Sequence, residues 1–364
     1  MGKLRNSFVA NFLAVTSLTA AGKDLAEWTS AGWYVQNDDV MGGRSNSNLK
    51  LSGSGAEFEG SINMNGGGFA SFRRNFGPWG ERDLAQYSGL WVETDVVTEQ
   101  PLFHAPFAVH IQLGDPSRYD HGAAFAIPSG PAGSTYSVFL PFGWFTKQLR
   151  WSCRGCTLDT GRINDLSVYA LYQEGPFKFK IRQIRAVRDS EVPAFGQVPA
   201  LVLSDAKAWM LVKATVERGS TLWNKGNPEL CGAMYSMTAK TLTTASNISS
   251  SVQEISRVAM ASAERYPVNL GGDAAWIYRK AFDHILAAYE GVSFPSDDRY
   301  PAVAHGDWAA TAMGSDQVPQ LSTTSLDRDM EQQLALNSAG QKSLKGLGFI
   351  FVMLVVGNAQ SCWS

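Results

Sequence analysis

Two adjacent carboxylates, Asp38 and Asp39, lie in the stretch NDDVMGGRSNSNL and are of a type that can do chemistry. Beside an asparagine, such a pair can act in catalysis or begin a calcium site. The spacing argues against both, because neighbouring residues on extended backbone point to opposite faces and the Gly42-Gly43 pair supplies no ligand side chain. The pattern favours a turn in which an aspartate ties down nearby backbone and the glycines reverse the chain.

A second glycine-rich motif, NGGGFASFRR, runs from Asn65 to Arg74. A phosphate-binding loop needs glycines between a strand and a helix, with Lys and Ser or Thr at fixed spacing, and this triplet runs instead into a β-type segment. Glycines within a strand pattern usually mark a bulge or a close backbone approach. The sequence therefore predicts a structural role, with Arg73 pairing with Asp38 or Asp39.

The densest polar cluster is GDPSRYDHG, residues 114–122, which brings together Asp115, Arg118, Tyr119, Asp120 and His121. A loop of this kind in a β-sandwich can bind a ligand or partner. A charged loop can equally be no more than solvated. The cluster is therefore retained as a candidate ligand loop.

Histidine and cysteine spacing favours neither a metal site nor a nucleophile. The five histidines never stand two or four residues apart, and the CRGC stretch has neither a second CxxC nor a nearby histidine to complete a zinc site. Cys231 is predicted to be a packed core thiol. The sequence predicts no cofactor, no metal and no enzymatic activity. The five histidines are His104, His110, His121, His284 and His305, and the four cysteines are Cys153, Cys156, Cys231 and Cys362.

Length and composition indicate two folded units rich in β-structure. The chain has 364 residues, longer than most single cores. Only 18% of residues are charged, while Gly (35) and Phe (19) are plentiful. A net charge of −2 provides no basic field for phosphates, so nucleic acid is not an expected partner.

Hydrophobic alternation with a period of two dominates the first unit. In AEFEGSINM, Phe58 and Ile62 share one parity while Glu57 and Glu59 share the other, and FAVHIQL, residues 107–113, alternates in the same way. Similar short segments, separated by Gly and Pro clusters, continue to the strand FKFKIRQIRAV. This pattern predicts an antiparallel β-sandwich over residues 31–188.

The remaining chain divides into a linker, a helical unit and two terminal segments. Residues 189–203 are predicted to be a linker, and residues 204–292 an α-helical bundle. Ser204 is the expected first N-cap, Gly219 the end of that helix, and Ser251 with Glu254 a capping box.

Each terminal segment carries a separate prediction. Residues 1–30 are predicted to form a targeting segment or an N-terminal helix. Residues 293–364 are expected to be mostly extended or disordered. Within them, residues 346–357 are apolar but too short to span a membrane.

Taken in order, the motifs of the first unit resemble the family of complex I intermediate-associated protein 30. The resemblance rests on NDDVMGGRSNSNL, NGGGFASFRR, GLWVETDV and INDLSVYALYQEGPFKFKIRQIRAV, and covers about Trp33 to Val187. It implies an all-β jelly roll of the galactose-binding-domain type, followed here by a small helical domain outside the family's limits. Arg44 departs from the small or hydrophobic residue usual at its position.

The resemblance also implies a set of motif residues, which the family marks as signature positions rather than catalytic ones. Together with Asp38 they form the predicted partner-binding motif. They are Asp39, Val40, Met41, Gly42, Gly43, Ser45, Asn65, Gly67, Gly68, Phe69 and Arg73.

Three functions follow as hypotheses. The first is a binding module that helps assemble a membrane protein complex, respiratory complex I, through contacts with its subunits or assembly intermediates. It implies a mitochondrial location and allows peripheral membrane association, with plastid or secretory locations as alternatives. The second is a carbohydrate-binding module, and the third is an assembly or maintenance factor for a photosynthetic complex.

Overall fold

The computed structural model describes residues 22–28, 32–77, 81–97, 105–116, 120–147, 157–193, 196–266 and 272–289. Residues 1–21 of the predicted targeting segment or N-terminal helix (1–30) and all of the predicted tail (293–364) lie outside these ranges. So do His104, Arg118, Tyr119, His305 and three of the four cysteines. Residues 22–28 contain the strand Lys23–Asp24 and no helix. None of the helices in the described part of the chain is both long and apolar enough to cross a membrane.

The described residues of the first unit form twelve strands. In chain order they are β1 (Lys23–Asp24), β2 (Trp33–Asn37), β3 (Asn46–Ser52), β4 (Gly55–Ile62), β5 (Phe69–Asn75), β6 (Gly89–Asp95), β7 (Phe107–Gly114), β8 (Asp120–Ile127), β9 (Thr135–Pro141), β10 (Thr146–Lys147), β11 (Asp165–Leu171) and β12 (Gly175–Val187).

These strands pair into two antiparallel six-stranded sheets that pack face to face. One sheet has the order β3-β4-β12-β6-β9, with β1 added to β12; the other has the order β10-β8-β7-β11-β5-β2. Between them lies a core rich in aromatic side chains, among them Phe58, Phe72, Phe177 and Phe179. The predicted β-sandwich is confirmed.

Strand β12 shows how the alternation sets the two faces. Phe177, Phe179 and Ile181 are buried between the sheets, while Lys178 and Lys180 point outward. The Lys178 ammonium lies 3.4 Å from a Glu57 carboxylate oxygen on the neighbouring strand. Exposed pairs of this kind stabilise a sheet only weakly, so the apolar face determines the register.

Four helices follow the sandwich, as predicted: α1 (Asp205–Asn224), α2 (Pro228–Thr244), α3 (Ser250–Ala263) and α4 (Asp273–Ala288). The Ser204 hydroxyl caps α1 by accepting a hydrogen bond from the Lys207 N–H, at 3.4 Å. Two predictions about helix ends are wrong. Helix α1 continues through Gly219, and the cap of α3 is Ser249 rather than Ser251, since Glu254 pairs with Arg257 instead.

Helix α2 covers the outer face of the second sheet, chiefly over β7 and β8. Apolar residues from both units, including Ala108, Ala126 and Met234, form one continuous buried cluster there. Strand β7 is therefore buried at all its positions, although its alternation predicts a half-buried strand. His110 lies on the covered face, and burial lowers its pKa to about 3, so the ring is neutral.

Candidate functional site

The motif NDDVMGGRS forms a tight turn built around the buried side chain of Asp38. A short 3-10 turn, Asp38–Met41, follows directly from β2. The Asp38 carboxylate has no exposed surface and accepts four hydrogen bonds. The donors are the Ser45 N–H (2.9 Å), the Ser45 hydroxyl (2.6 Å), the Gly68 N–H (2.5 Å) and the Phe69 N–H (3.2 Å).

These hydrogen bonds determine the charge state of Asp38. Burial by itself would raise the pKa of this carboxyl, because a low-dielectric surrounding disfavours the charged form. The bonds from Ser45, Gly68 and Phe69 outweigh burial and hold the pKa below its ordinary value. Asp38 is therefore an anion that joins the two glycine-rich loops, with its acceptor capacity already in use.

Glycine is required at two positions because the Asp38 side chain fills the space beside them. A Cβ added to Gly43 would lie 2.2 Å from the Asp38 carboxyl carbon, and one added to Gly67 would lie 2.3 Å from an Asp38 oxygen. Real Cβ atoms essentially never come this close to another heavy atom. The glycines of the two motifs thus leave room for the Asp38 carboxylate between the two loops. This is the close approach that the sequence predicts for them.

Ser45 extends the network to the loop after β4. Its hydroxyl donates to Asp38 and accepts a hydrogen bond from the Asn63 N–H at 3.0 Å. We expect Ser45→Ala to lower the free energy of unfolding by about 1–2 kcal/mol, since it removes one bond to a carboxylate and leaves the Asn63 N–H unpaired. Urea denaturation would measure this, with the exposed Ser54→Ala as the control; equal midpoints for the two variants would contradict the network.

The same turn leaves a small group of side chains exposed at its tip. Val40 and Met41 are 62% and 66% exposed, among the most exposed large apolar residues in the described ranges. Asp39 and Arg44 flank them and are also exposed, as is Asn65 of the neighbouring loop. We call Asp39, Val40, Met41, Arg44 and Asn65 the apical loop surface.

The predicted motif residues therefore separate into a buried set and an exposed set. Asp38, Ser45 and Gly68 are buried; Gly43, Gly67, Phe69 and Arg73 are half-buried; and Asp39, Val40, Met41, Gly42 and Asn65 are exposed. The buried members hold the exposed ones in place, so the motif is scaffolding that also presents a surface.

The prediction that Arg73 pairs with Asp38 or Asp39 is wrong. The Arg73 Nε–H donates to the Ser71 hydroxyl at 3.2 Å, and its guanidinium carbon lies 4.9 Å from the centre of the Tyr169 ring. The register of β5 against β2 sets Arg73 opposite Tyr34, four residues before Asp38 along an extended strand. Hydrogen bonds from backbone N–H groups stabilise the Asp38 carboxylate, the role that the prediction gives to an arginine.

Arg74, which the sequence analysis overlooked, has the larger structural role. Its buried guanidinium donates to the carbonyl oxygens of Leu25 (3.1 Å) and Ala26 (2.7 Å) and pairs with the Glu27 carboxylate at 2.5 Å. The adjacent arginines point to opposite faces of β5, as neighbours on a strand must. Arg74 thereby fastens the first described segment to the sandwich.

In the candidate ligand loop at residues 114–122, two of the described side chains form a buried pair. Asp115 and His121 are both buried, with the His121 Nε2 3.5 Å from an Asp115 oxygen. Asp115 also accepts a hydrogen bond from the Asp159 N–H at 3.0 Å. Arg118, Tyr119 and the side chain of Asp120 lie outside the described residues, so the loop remains a candidate.

The described ranges contain one free cysteine. Cys231 is a buried free thiol, and burial raises its pKa to about 12, so the thiol is protonated at neutral pH. Within those ranges, no three His, Cys, Asp or Glu side chains are grouped so that they could hold a metal ion.

The fold and the apical loop surface define a two-sheet β-sandwich that presents a rigid loop at one end, next to a helical unit. Residues 23–181 match the model of the family "Complex I intermediate-associated protein 30 (CIA30)", which confirms the resemblance for that segment. The match covers somewhat less than half of the chain. No curated protein matches the chain.

Several solved structures show some similarity to part of this chain. A family 11 carbohydrate-binding module of a Clostridium thermocellum cellulosomal cellulase is 14% identical, with a TM-score of 0.35, over 46% of this chain and 95% of that one. A family 11 module from Clostridium thermocellum in complex with a mixed-linked tetrasaccharide is also 14% identical, with a TM-score of 0.36; the alignment covers 47% of this chain and 98% of the module. An agarase, AgWH50C, is 9% identical in sequence, with a TM-score of 0.32; the alignment covers 55% of this chain and 31% of the agarase.

Proposed function

We propose that the CIA30 domain is a non-enzymatic binding module and that the protein assists assembly of a membrane protein complex, respiratory complex I, by binding its subunits or intermediates. The observation that carries the proposal is the apical loop surface, in which Val40 and Met41 are exposed on a turn tied down by Asp38. The family described for residues 23–181 supplies the target.

Rigid presentation of apolar side chains favours binding. Exposed valine and methionine gain free energy when a partner covers them, and methionine adapts to irregular partner surfaces. Because four hydrogen bonds already fix the turn, little further conformational entropy is lost when a partner binds. The buried Asp38 is committed to these bonds, so the motif supports recognition rather than acid or base catalysis.

Two flanking charges add orientation to this apolar contact. Asp39 and Arg44 carry opposite signs on either side of the Val40-Met41 pair. A partner with the complementary arrangement is favoured in one orientation, while like charges are disfavoured. We therefore propose a protein surface as the partner, contacted at a mitochondrial membrane, rather than a nucleic acid or a bare lipid surface.

The test is affinity purification of the tagged full-length protein from mitochondrial membranes in mild detergent, with mass spectrometry of the co-purifying proteins. We expect complex I subunits or intermediates in the wild-type eluate and at least a roughly tenfold loss with the double variant Val40→Ser, Met41→Ser, since a few central residues dominate most interfaces. Both positions are exposed, so stability should not change.

Val202→Ser is the matched control, because Val202 is 71% exposed and lies outside the apical loop surface. Equal recovery from the double variant and this control would show that the apical loop surface does not bind the partner. Recovery of photosynthetic subunits from plastid membranes would keep the binding role and replace the target. A reproducible glycan-array signal with no co-purifying protein would replace the proposal by carbohydrate binding.

A further inference from the structure

The helical unit contains a pocket that neither the family match nor the proposed function uses. It has a volume of about 300 Å³ and opens between α1, α2 and α4. This size is at the lower end of the range for small-molecule sites. The described residues that line it are Ser220, Trp223, Asn224, Cys231, Tyr235, Ala275, Trp276 and Arg279.

Two tryptophans from different helices form a fixed aromatic wall. The ring centres of Trp223 and Trp276 are 5.4 Å apart, with an angle of 71° between the ring planes. Trp223 packs so closely on Gly272 that a Cβ there would lie 1.8 Å from its ring. Both rings remain partly exposed, so each can contact a planar molecule in the pocket.

Close packing of α1 on α2 builds the opposite wall. Tyr235 packs directly on Gly219, where a Cβ would lie 2.0 Å from the Tyr235 ring. This contact explains why the glycine stands inside α1 instead of ending it. The neutral Cys231 thiol, one helical turn before Tyr235, extends this weakly polar surface.

Among the described residues that line the pocket, Arg279 is the only charged one. Its Nε–H donates to Asp283 at 2.9 Å, and its Nη1 donates to the Ser220 hydroxyl at 3.1 Å. These contacts hold the guanidinium at the pocket and leave further N–H donors, since the group has five. Although the guanidinium already pairs with Asp283, its remaining N–H donors suit a carboxylate as a further acceptor.

From this geometry we infer that the pocket binds a small aromatic carboxylate, with its ring against Trp223 and Trp276 and its carboxylate on Arg279. The inference is independent of the apical loop surface. Neither site contributes a residue to the other.

The probe is indole-3-acetate, and indole-3-acetamide is its uncharged counterpart. Full-length protein labelled with nitrogen-15 at the tryptophan indole is titrated with each compound and followed by two-dimensional NMR, with the Trp223 and Trp276 signals assigned from Trp→Phe variants. We expect saturable shifts of these two signals, with a dissociation constant on the order of 1 mM or below, as for a fragment-sized ligand. The Trp28 and Trp33 signals in the sandwich should not move.

The role of the charge is tested on the ligand and on the protein. We expect the acetamide to bind at least roughly tenfold more weakly, because a hydrogen bond to a charged group is lost. Arg279→Gln should weaken acetate binding by a similar factor. Arg257→Gln is the matched control, since Arg257 forms the same kind of helical ion pair with Glu254 outside the pocket.

Equal affinity for the two compounds, shifts at other tryptophans, or no saturable shift would each overturn the inference. The comparison of acetate with acetamide uses the wild-type protein. It therefore remains decisive even if Arg279→Gln does not fold.

Discussion

Asp38→Asn is expected to lower the free energy of unfolding by about 3 kcal/mol, the largest effect of any single polar substitution in the motif. The variant loses the negative charge to which Ser45, Gly68 and Phe69 donate. It also turns an amide N–H group toward at least one of these donors. Hydrogen bonds to a buried charged group contribute more than neutral ones, and an unpaired buried donor adds its desolvation cost.

Asp39→Asn is the matched control, because Asp39 is the next residue and is exposed. Its unfolding free energy should stay within about 0.5 kcal/mol of the wild type. Chemical denaturation of the three proteins at neutral pH makes the comparison. Similar losses for the two variants would mean that Asp38 is not the acceptor that joins the loops.

The stability difference between wild type and Asp38→Asn should depend on pH in a defined direction. The folded-state pKa of Asp38 lies below its ordinary value of 3.8, so the unfolded chain takes up this proton first as the pH falls. The charge of Asp38 therefore contributes fully above about pH 5. Its contribution decreases once the pH falls below 3.8 and is lost as the pH passes the lower folded-state pKa. A difference that grows on acidification would contradict this assignment.

Gly43→Ala is expected to destabilise the fold by about 2–4 kcal/mol. The added methyl group would overlap the Asp38 carboxyl carbon at 2.2 Å, so either the turn or the carboxylate must move. Overpacking at a filled site costs about 1–3 kcal/mol, and displacing the carboxylate also weakens its hydrogen bonds. The effect is steric and electrostatic together.

Gly53→Ala serves as the control, since a Cβ at Gly53 meets nothing within 4 Å. Its unfolding midpoint should remain close to that of the wild type. Thermal and urea denaturation can both be followed by tryptophan fluorescence. A mild effect of Gly43→Ala, equal to that of the control, would show that the loop yields easily and is not held around Asp38.

The sandwich could be predicted because its strands carry a repeated local signal. In β4 and in β12 as far as Ile181 the apolar residues recur at every second position, and the two sheets bury that face. Strand β7 has the same alternation but is covered on both sides. Nothing local to residues 107–113 announces that α2 packs on them, since this contact joins segments more than a hundred residues apart.

The motif was predictable in kind but not in its partners. Adjacent glycines and aspartates indicate a tied turn, and the structure contains one. Whether Asp38 or Asp39 is buried depends on which side chain points inward where β2 ends. This orientation cannot be predicted from one sequence alone. Opposite charge alone predicts that Arg73 pairs with an aspartate, but backbone N–H groups from the Gly68 loop already donate to Asp38.

Because α2 packs on the second sheet, the segment that matches the CIA30 model is not a structurally separate unit. A fragment ending near residue 188 would bare a sheet face lined by Ala108, Ala124 and Ala126, with the neutral ring of His110 among them. Such a fragment would tend to aggregate through this exposed apolar face, and the solvent-exposed His110 would be protonated at acidic pH. In this protein the helices and the outer face of the second sheet share one buried cluster, separate from the core between the sheets, so engineering of the sandwich must keep the helices that cover it.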